Sequence, residues 1–251
     1  MDGVKDLPLD PWASTEFNDV MKPTQHNTPD SPASDVASKI PAATEVQGIF
    51  GLSDKEQHVW DQAKDFLTVR SNDVHSLYAY GIARQLTQLI PEARAEIVLP
   101  AILLHDTGWS QVPEELVLSA IAPGGGRPDL VRDHEVAGAR IAREILAAVG
   151  YDAADVEEIA RIIDGHDSRT TALSVNDALV KDADKVWRLT PHGVATVMGW
   201  FDLNHDQAHR LCGYRVHDHL FTEQARIMAA GFAGIASMDD SPALSVLTRR
   251  Q

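Results

Sequence analysis

The chain is poor in cysteine, in basic residues and in long apolar runs, and each shortage narrows what it can be. One cysteine, Cys212, excludes an intrachain disulfide and any zinc site built from several cysteines. A single thiol fits a reducing compartment, and the expected location is the cytoplasm. No apolar run approaches the roughly 18–20 residues that span a bilayer. The opening residues, Met1 to Asp6, lack the basic-then-apolar order of a secretory leader. Lysine and arginine number 22 against 37 aspartates and glutamates, a formal net charge of −15. Such a chain repels nucleic-acid polymers and anionic membranes, so neither is an expected partner. A small anionic substrate remains compatible, because bound dications reverse the field locally. A homo-oligomer is also compatible, although the sequence does not give the oligomeric state.

What is present is helix after helix. Six of the 13 prolines (Pro8, Pro11, Pro23, Pro29, Pro32 and Pro41) fall early, and no regular period survives between them. Residues 1–48 therefore read as an arm, either disordered or packed across the body through Trp12 and Phe17. Residues 49–240 read as a helical catalytic domain and 241–251 as a tail. Ser53 with Glu56 three residues on forms a capping box, ahead of a stripe of Val59, Trp60, Ala63, Phe66 and Leu67. Further helices are expected over about 72–90, 92–105 with a kink at Pro100, and a short stretch from Pro113. Others follow over 129–149, ending at Gly150, then 152–165, 174–189, 205–221 and 222–236. Pro191 marks the end of the 174–189 helix. The Pro123-Gly-Gly-Gly-Arg-Pro128 stretch lacks the lysine and the strand-to-helix setting of a phosphate loop, and reads as a connector or lid. With no alternating strand pattern and no internal repeat, the fold class is all-α.

The stretch Leu103-Leu104-His105-Asp106-Thr107-Gly108 organises the rest. An apolar run delivers a histidine and an aspartate side by side, and buried charge is costly unless paired or metal-bound. His75 lies upstream; His134, His166 and Asp184 lie downstream, each on its own helical segment. The set reads as a metal site, dinuclear in form. Imidazole with carboxylate suits iron, manganese, zinc or cobalt, whereas calcium takes oxygen ligands. Neighbouring residues on a helix point about 100° apart, so His105 can face one ion while the Asp106 carboxylate bridges to a second.

On these residues the chain resembles the HD-domain superfamily of metal-dependent hydrolases, over roughly residues 53 to 190. His75, the His105-Asp106 pair and Asp184 fit the family pattern in order. Asp184 fits better than Asp182, because the family aspartate precedes a basic residue and Lys185 follows here; Asp182 is a fallback ligand or a supporting group. His134, in Asp-His-Glu-Val-Ala-Gly-Ala, and His166, in Ile-Ile-Asp-Gly-His-Asp, match the histidines that two-metal members add. The resemblance implies an HD-type helical bundle and two divalent ions, iron or manganese. One would be held by His75, His105, Asp106 and Asp184, the other by Asp106, His134 and His166.

The implied activity is phosphoester hydrolysis of a small molecule or nucleotide by a metal-bound hydroxide. Asp106 would position metals and nucleophile, and Asp167 or Asp133 would shuttle a proton. Lys185, Arg188 and Arg169, close in sequence to the ligands, would hold substrate anions, Lys185 also acting in catalysis. Many family hydrolases carry a lysine directly after His-Asp-x-Gly. Here that place is Trp109, a flat apolar group suited to wall a pocket for an organic moiety. A branch of the superfamily uses the same six ligands with two irons as an oxygenase of chelating polyol- or hydroxyphosphonate-like substrates, which is the alternative. A non-catalytic ligand-binding module is a third class, disfavoured because every metal position is filled. His26, His58, His192, His205, His209, His217 and His219 read as ordinary surface or capping residues, with His192 the one placed to line a pocket.

Overall fold

The computed structural model describes residues 36–244. Trp12, Phe17 and His26, most of the predicted arm, and residues 245–251 of the predicted tail lie outside them. The chain divides into two units, Met1–Phe50 and Gly51–Gln251. In the described part of the first, Ala43–Glu45 form a 3-10 turn, and the Ala42 N–H donates to the Glu45 carboxylate.

The second unit is all-α, with no strand among the described residues. Its helices are α1 (Asp54–Ala63), α2 (Asn72–Leu89), α3 (Ala95–Leu104), α4 (Glu114–Ile121) and α5 (Pro128–Val149). They continue with α6 (Ala153–Ile163), α7 (Val175–Val186), α8 (Pro191–Phe201), α9 (His205–His217) and α10 (Glu223–Ala236). None is long and apolar enough to cross a membrane.

Local chemistry sets most boundaries. Ser53 and Glu56 form the reciprocal capping box at α1. Asp152, Ser174, Asn204 and Thr222 cap α6, α7, α9 and α10 with their side chains. Gly150, at φ 85°, closes α5 in the left-handed conformation that glycine adopts without strain.

Helix α8 departs from expectation. Pro191 does follow the α7 segment, but it also starts a helix: it occupies the first turn of α8, behind Thr190, whose hydroxyl accepts from Gly193 N–H. A proline at that position loses no helical hydrogen bond, so it opens a helix as readily as it stops one. The predicted 205–221 helix ends at His217, and 218–222 form the turn into α10.

Helix α3 is the centre. Every residue from Ile97 to Leu104 is buried, and the helix runs on through Pro100. A helix apolar on all sides belongs in an interior, and α2, α6 and α7 pack around this one. The site is organised at its C-terminal end. There the turn Thr107–Gln111 lies against α5 with almost no space between backbones. A Cβ on Gly108 would overlap the His134 carbonyl oxygen, and one on Gly138 would stand 3.1 Å from the His105 carbonyl. The two glycines let the strand of chain after the His-Asp pair touch the helix that carries His134.

Candidate metal centre

Five elements bring one group each to the end of α3. His75 sits in the first turn of α2, and His105 with Asp106 follows α3. His134 lies on α5, His166 in the turn after α6, and Asp184 near the end of α7. All six are buried. On one side, His75 Nε2 stands 3.0 Å from His105 Nε2, 3.4 Å from Asp106 Oδ2 and 3.5 Å from Asp184 Oδ1. On the other, His134 Nε2 stands 3.4 Å from His166 Nε2, and these nitrogens lie 3.9 and 3.6 Å from Asp106 Oδ1. The two oxygens of Asp106 thus face two different groups of histidines. Asp167 joins the second group, its Oδ2 at 3.6 Å from His134 Nε2 and 3.7 Å from His166 Nε2.

These groups fit a cation by their donor chemistry. His105 Nδ1 is 2.8 Å from the Ile102 carbonyl and His166 Nδ1 is 2.9 Å from the Ile163 carbonyl. A carbonyl only accepts, so both Nδ1 atoms carry the proton and both Nε2 atoms of the neutral rings present lone pairs to the cluster. Lone pairs turned toward carboxylate oxygens repel unless something positive lies between them. This is the arrangement by which a backbone carbonyl orients a metal-ligating imidazole. The groups His75, His105 and Asp184, then His105, Asp106 and His166, then His134, His166 and Asp167 are each compact enough to hold a metal ion.

Without a cation the titration pattern is split. Burial pushes His75 and His134 down to about 4. Burial also opposes a charged His166, but Asp167 and Asp106 outweigh it and raise the ring to about 9. Asp106 is held well below the usual carboxylate range despite burial, by His105, His166 and His75. The metal-free centre therefore supplies its missing positive charge as a proton on His166.

The turn that carries His166 and Asp167 is clasped from two sides. Glu135 Oε1 accepts from the Asp167 and Ser168 N–H groups, and its Oε2 accepts from the Ser168 hydroxyl and Arg132. The buried ammonium of Lys181 donates to the carbonyls of Gly165, His166 and Arg169. Both buried charges thus find partners in the turn's own backbone.

Beside the metal groups opens a cavity of about 230 Å³. Asp106, Asp167, Trp109 and Arg188 line it, together with His75 and Asp184. Arg188 donates to the Asp184 carbonyl and carboxylate. Lys185 and Arg169 are elsewhere. The Lys185 ammonium reaches the Lys181 carbonyl, and the Arg169 guanidinium is spent on the carbonyls of Arg161, Ile162 and Asp164 and on Asp177. Neither lines the cavity, which closeness in sequence does not reveal. Asp133 is exposed, outside the cavity. Asp182 holds the turn before α10, accepting from Phe221 N–H, Thr222 N–H and the Thr222 hydroxyl, so it is no part of the metal groups.

His192 backs the site without lining it: it stacks on Tyr78 and accepts from the Trp187 indole N–H. His58, His217 and His219 are exposed, and His205 and His209 are half-buried on α9. Sequence reasoning missed Arg70, Arg215, Trp187 and Trp200 in the cavity wall. No local signal marks them, although Arg70 stands only five residues before His75.

Comparison with known proteins agrees with this architecture. The family described as the HD domain matches residues 72–189. A solved structure of a predicted HD superfamily hydrolase from an uncultured Thermotogales bacterium is similar over 86% of this chain and 99% of its own. Its TM-score is 0.51 at 18% identity, a likeness of fold. No curated protein matches the chain.

Proposed function

From the match of the HD-domain family to residues 72–189, we propose that the chain is a metal-dependent phosphohydrolase acting on a small organic phosphate. The observation that supports this reading is Asp106, each of whose oxygens faces its own group of histidines. His75, His105, Asp106 and Asp184 would hold one divalent ion, iron or manganese; Asp106, His134 and His166 would hold a second, with Asp167 beside it. Bound dications lower the pKa of water and draw charge from a phosphoryl group.

The chain's own residues then have distinct tasks. Asp106 would help to hold both ions, since each of its oxygens faces its own group of histidines. Asp167, the most exposed carboxylate of the set, takes up the proton released at the nucleophile. Arg188, braced by Asp184, and Arg215 at the rim meet charge on the phosphoryl oxygens. Trp109 and Trp187 wall the cavity and exclude water. Its volume, below the roughly 300–1,000 Å³ of sites for drug-sized ligands, suits a small substrate. The name of the Thermotogales protein, a hydrolase, accords with this reading.

One observation favours a second reading, oxidation of a chelating organic substrate with two irons held by the same groups. No lysine lines the cavity among the described residues, and Trp109 stands at its wall. The deciding experiment measures metal content per chain, then phosphate release from a phosphomonoester panel with manganese, and oxygen uptake with iron. Two metals and metal-dependent phosphate release are expected. Oxygen consumption with a coupled mixed-valent EPR signal, and no phosphate release, would replace the hydrolase by the oxygenase.

A further inference from the structure

We propose that Arg70 holds a second anionic group of the substrate, apart from the metal-facing one, so that the substrate is a small bis-anion. The proposal rests on the reading of the cavity as the substrate site. Its chemistry is an oxyanion at each end, a phosphate or its like toward the metals and a carboxylate or phosphate at Arg70.

Arg70 lines the same cavity as His75, Asp106 and Asp184. Its guanidinium lies over the Trp200 ring, 4.4 Å from the centroid. Its Nη1 is buried and has no acceptor among the described residues. A buried donor without an acceptor is costly, the more so on a cation. The backbone is costly too: Arg70 and Ser71 stand at φ 55° and 59°, in the left-handed region that side chains disfavour. Two penalties at one residue in a cavity wall point to a ligand that repays them.

The other guanidiniums of the cavity wall differ. Arg188 is bound to Asp184, and Arg215 donates to the Ile121 carbonyl. The charged neighbour of Arg70 is Glu114, not a carboxylate of the metal groups, so its charge is not consumed there. Burial lowers it to about 10, and it stays protonated at neutral pH. A guanidinium that lies over an indole can still grip a carboxylate or phosphate through two N–H bonds.

The test uses phosphonates, which resist hydrolysis, in pairs that differ by a carboxylate. Phosphonoacetate is compared with ethylphosphonate, and phosphonopropionate with propylphosphonate, by calorimetry on the metal-loaded full chain. The wild type should prefer at least one carboxylate-bearing member by about tenfold or more, the scale of one charged hydrogen bond. Arg70→Gln should abolish that preference and leave affinity for the plain phosphonate unchanged, and Arg70→Lys should restore part of it. Circular dichroism checks each fold. If Arg70→Gln does not fold, Trp200→Leu, which removes the platform, should reduce the preference instead. Equal affinity within both pairs for the wild type, or a folded Arg70→Gln that keeps the preference, overturns the proposal. Binding is read without turnover, so a protein that releases no phosphate but shows the Arg70-dependent preference fails the hydrolase reading and not this one.

Discussion

Trp109 lies flat on His134, with ring centroids 3.8 Å apart and planes within 10° of parallel. The indole is itself buried, packed with Val112, Val117, Ala120 and Leu130. The tryptophan after the His-Asp pair is thus tied to the imidazole that α5 brings to the centre. Supporting groups of this kind typically govern metal affinity by about 10–100-fold. Trp109→Ala should weaken binding of one metal on that scale while the other is retained, and Trp109→Phe should retain both. Metal titration of the folded variants by calorimetry checks this.

The placement of Asp106 between two groups of histidines predicts different stoichiometries for two substitutions. His134→Ala should lose one metal per chain and most activity with its helical content intact. Asp106→Ala should lose both metals, because both groups use its oxygens. Elemental analysis beside circular dichroism reads the difference. Two metals in His134→Ala, or in Asp106→Ala, would remove the assigned role.

Glu135 is fully buried and answers the N–H groups of Asp167 and Ser168. Glu135→Ala would leave those donors unsatisfied, at about 1.5–3 kcal/mol per charged hydrogen bond. A loss of a few kcal/mol in urea unfolding is expected, together with weaker metal binding at His166. Glu135→Gln should recover part of both, since its carbonyl oxygen still accepts.

The contact between Gly108 and α5 makes a sharper demand than that between Gly138 and the turn. Gly108→Ala places a methyl group on the His134 carbonyl, and rigid backbone must move. Overpacking of this kind costs about 1–3 kcal/mol or more, and the displaced turn should also lose metal. Gly138→Ala meets its nearest atom at 3.1 Å and should be milder. Thermal melts of the two variants give the order directly.

Protein stripped of metal should be most stable near pH 6.5. His166 has a folded pKa raised to about 9, above the unfolded value near 6.5. Its contribution is complete below about 6.5 and is lost as pH rises through 9. His75 and His134 are lowered to about 4. For them the unfolded chain takes up protons first, so stability falls as pH drops from about 6.5 to 4. A metal displaces the His166 proton, so loading should remove the alkaline decline and release about one proton at neutral pH. Melting curves across pH, with and without metal, test both limbs. A stripped protein with flat stability from pH 7 to 9 would contradict the raised His166.

The sequence by itself determined what depends on near neighbours. Ser53 and Glu56 cap α1, and Gly150 ends α5. The apolar run before His105 makes α3 an interior helix, because caps and periodicity act within a turn or two of chain. The order His75, His105-Asp106, His134, His166, Asp184 was legible for the same reason: each residue has a characteristic local setting. Pro191 shows the limit of such signals, since the same residue can stop one helix and start the next. Only the tertiary structure decided which polar groups face the centre. Lys185 and Arg169 adjoin metal-site residues in sequence yet turn to backbone carbonyls. Arg215, on α9, reaches the cavity rim from far along the chain. The orientation of a side chain about its helix is settled by what packs against that helix, and those contacts come from residues distant in sequence. The two-sided setting of Asp106 depends on the same long-range packing, with the close passage of Gly108 and Gly138 bringing His134 to its second oxygen.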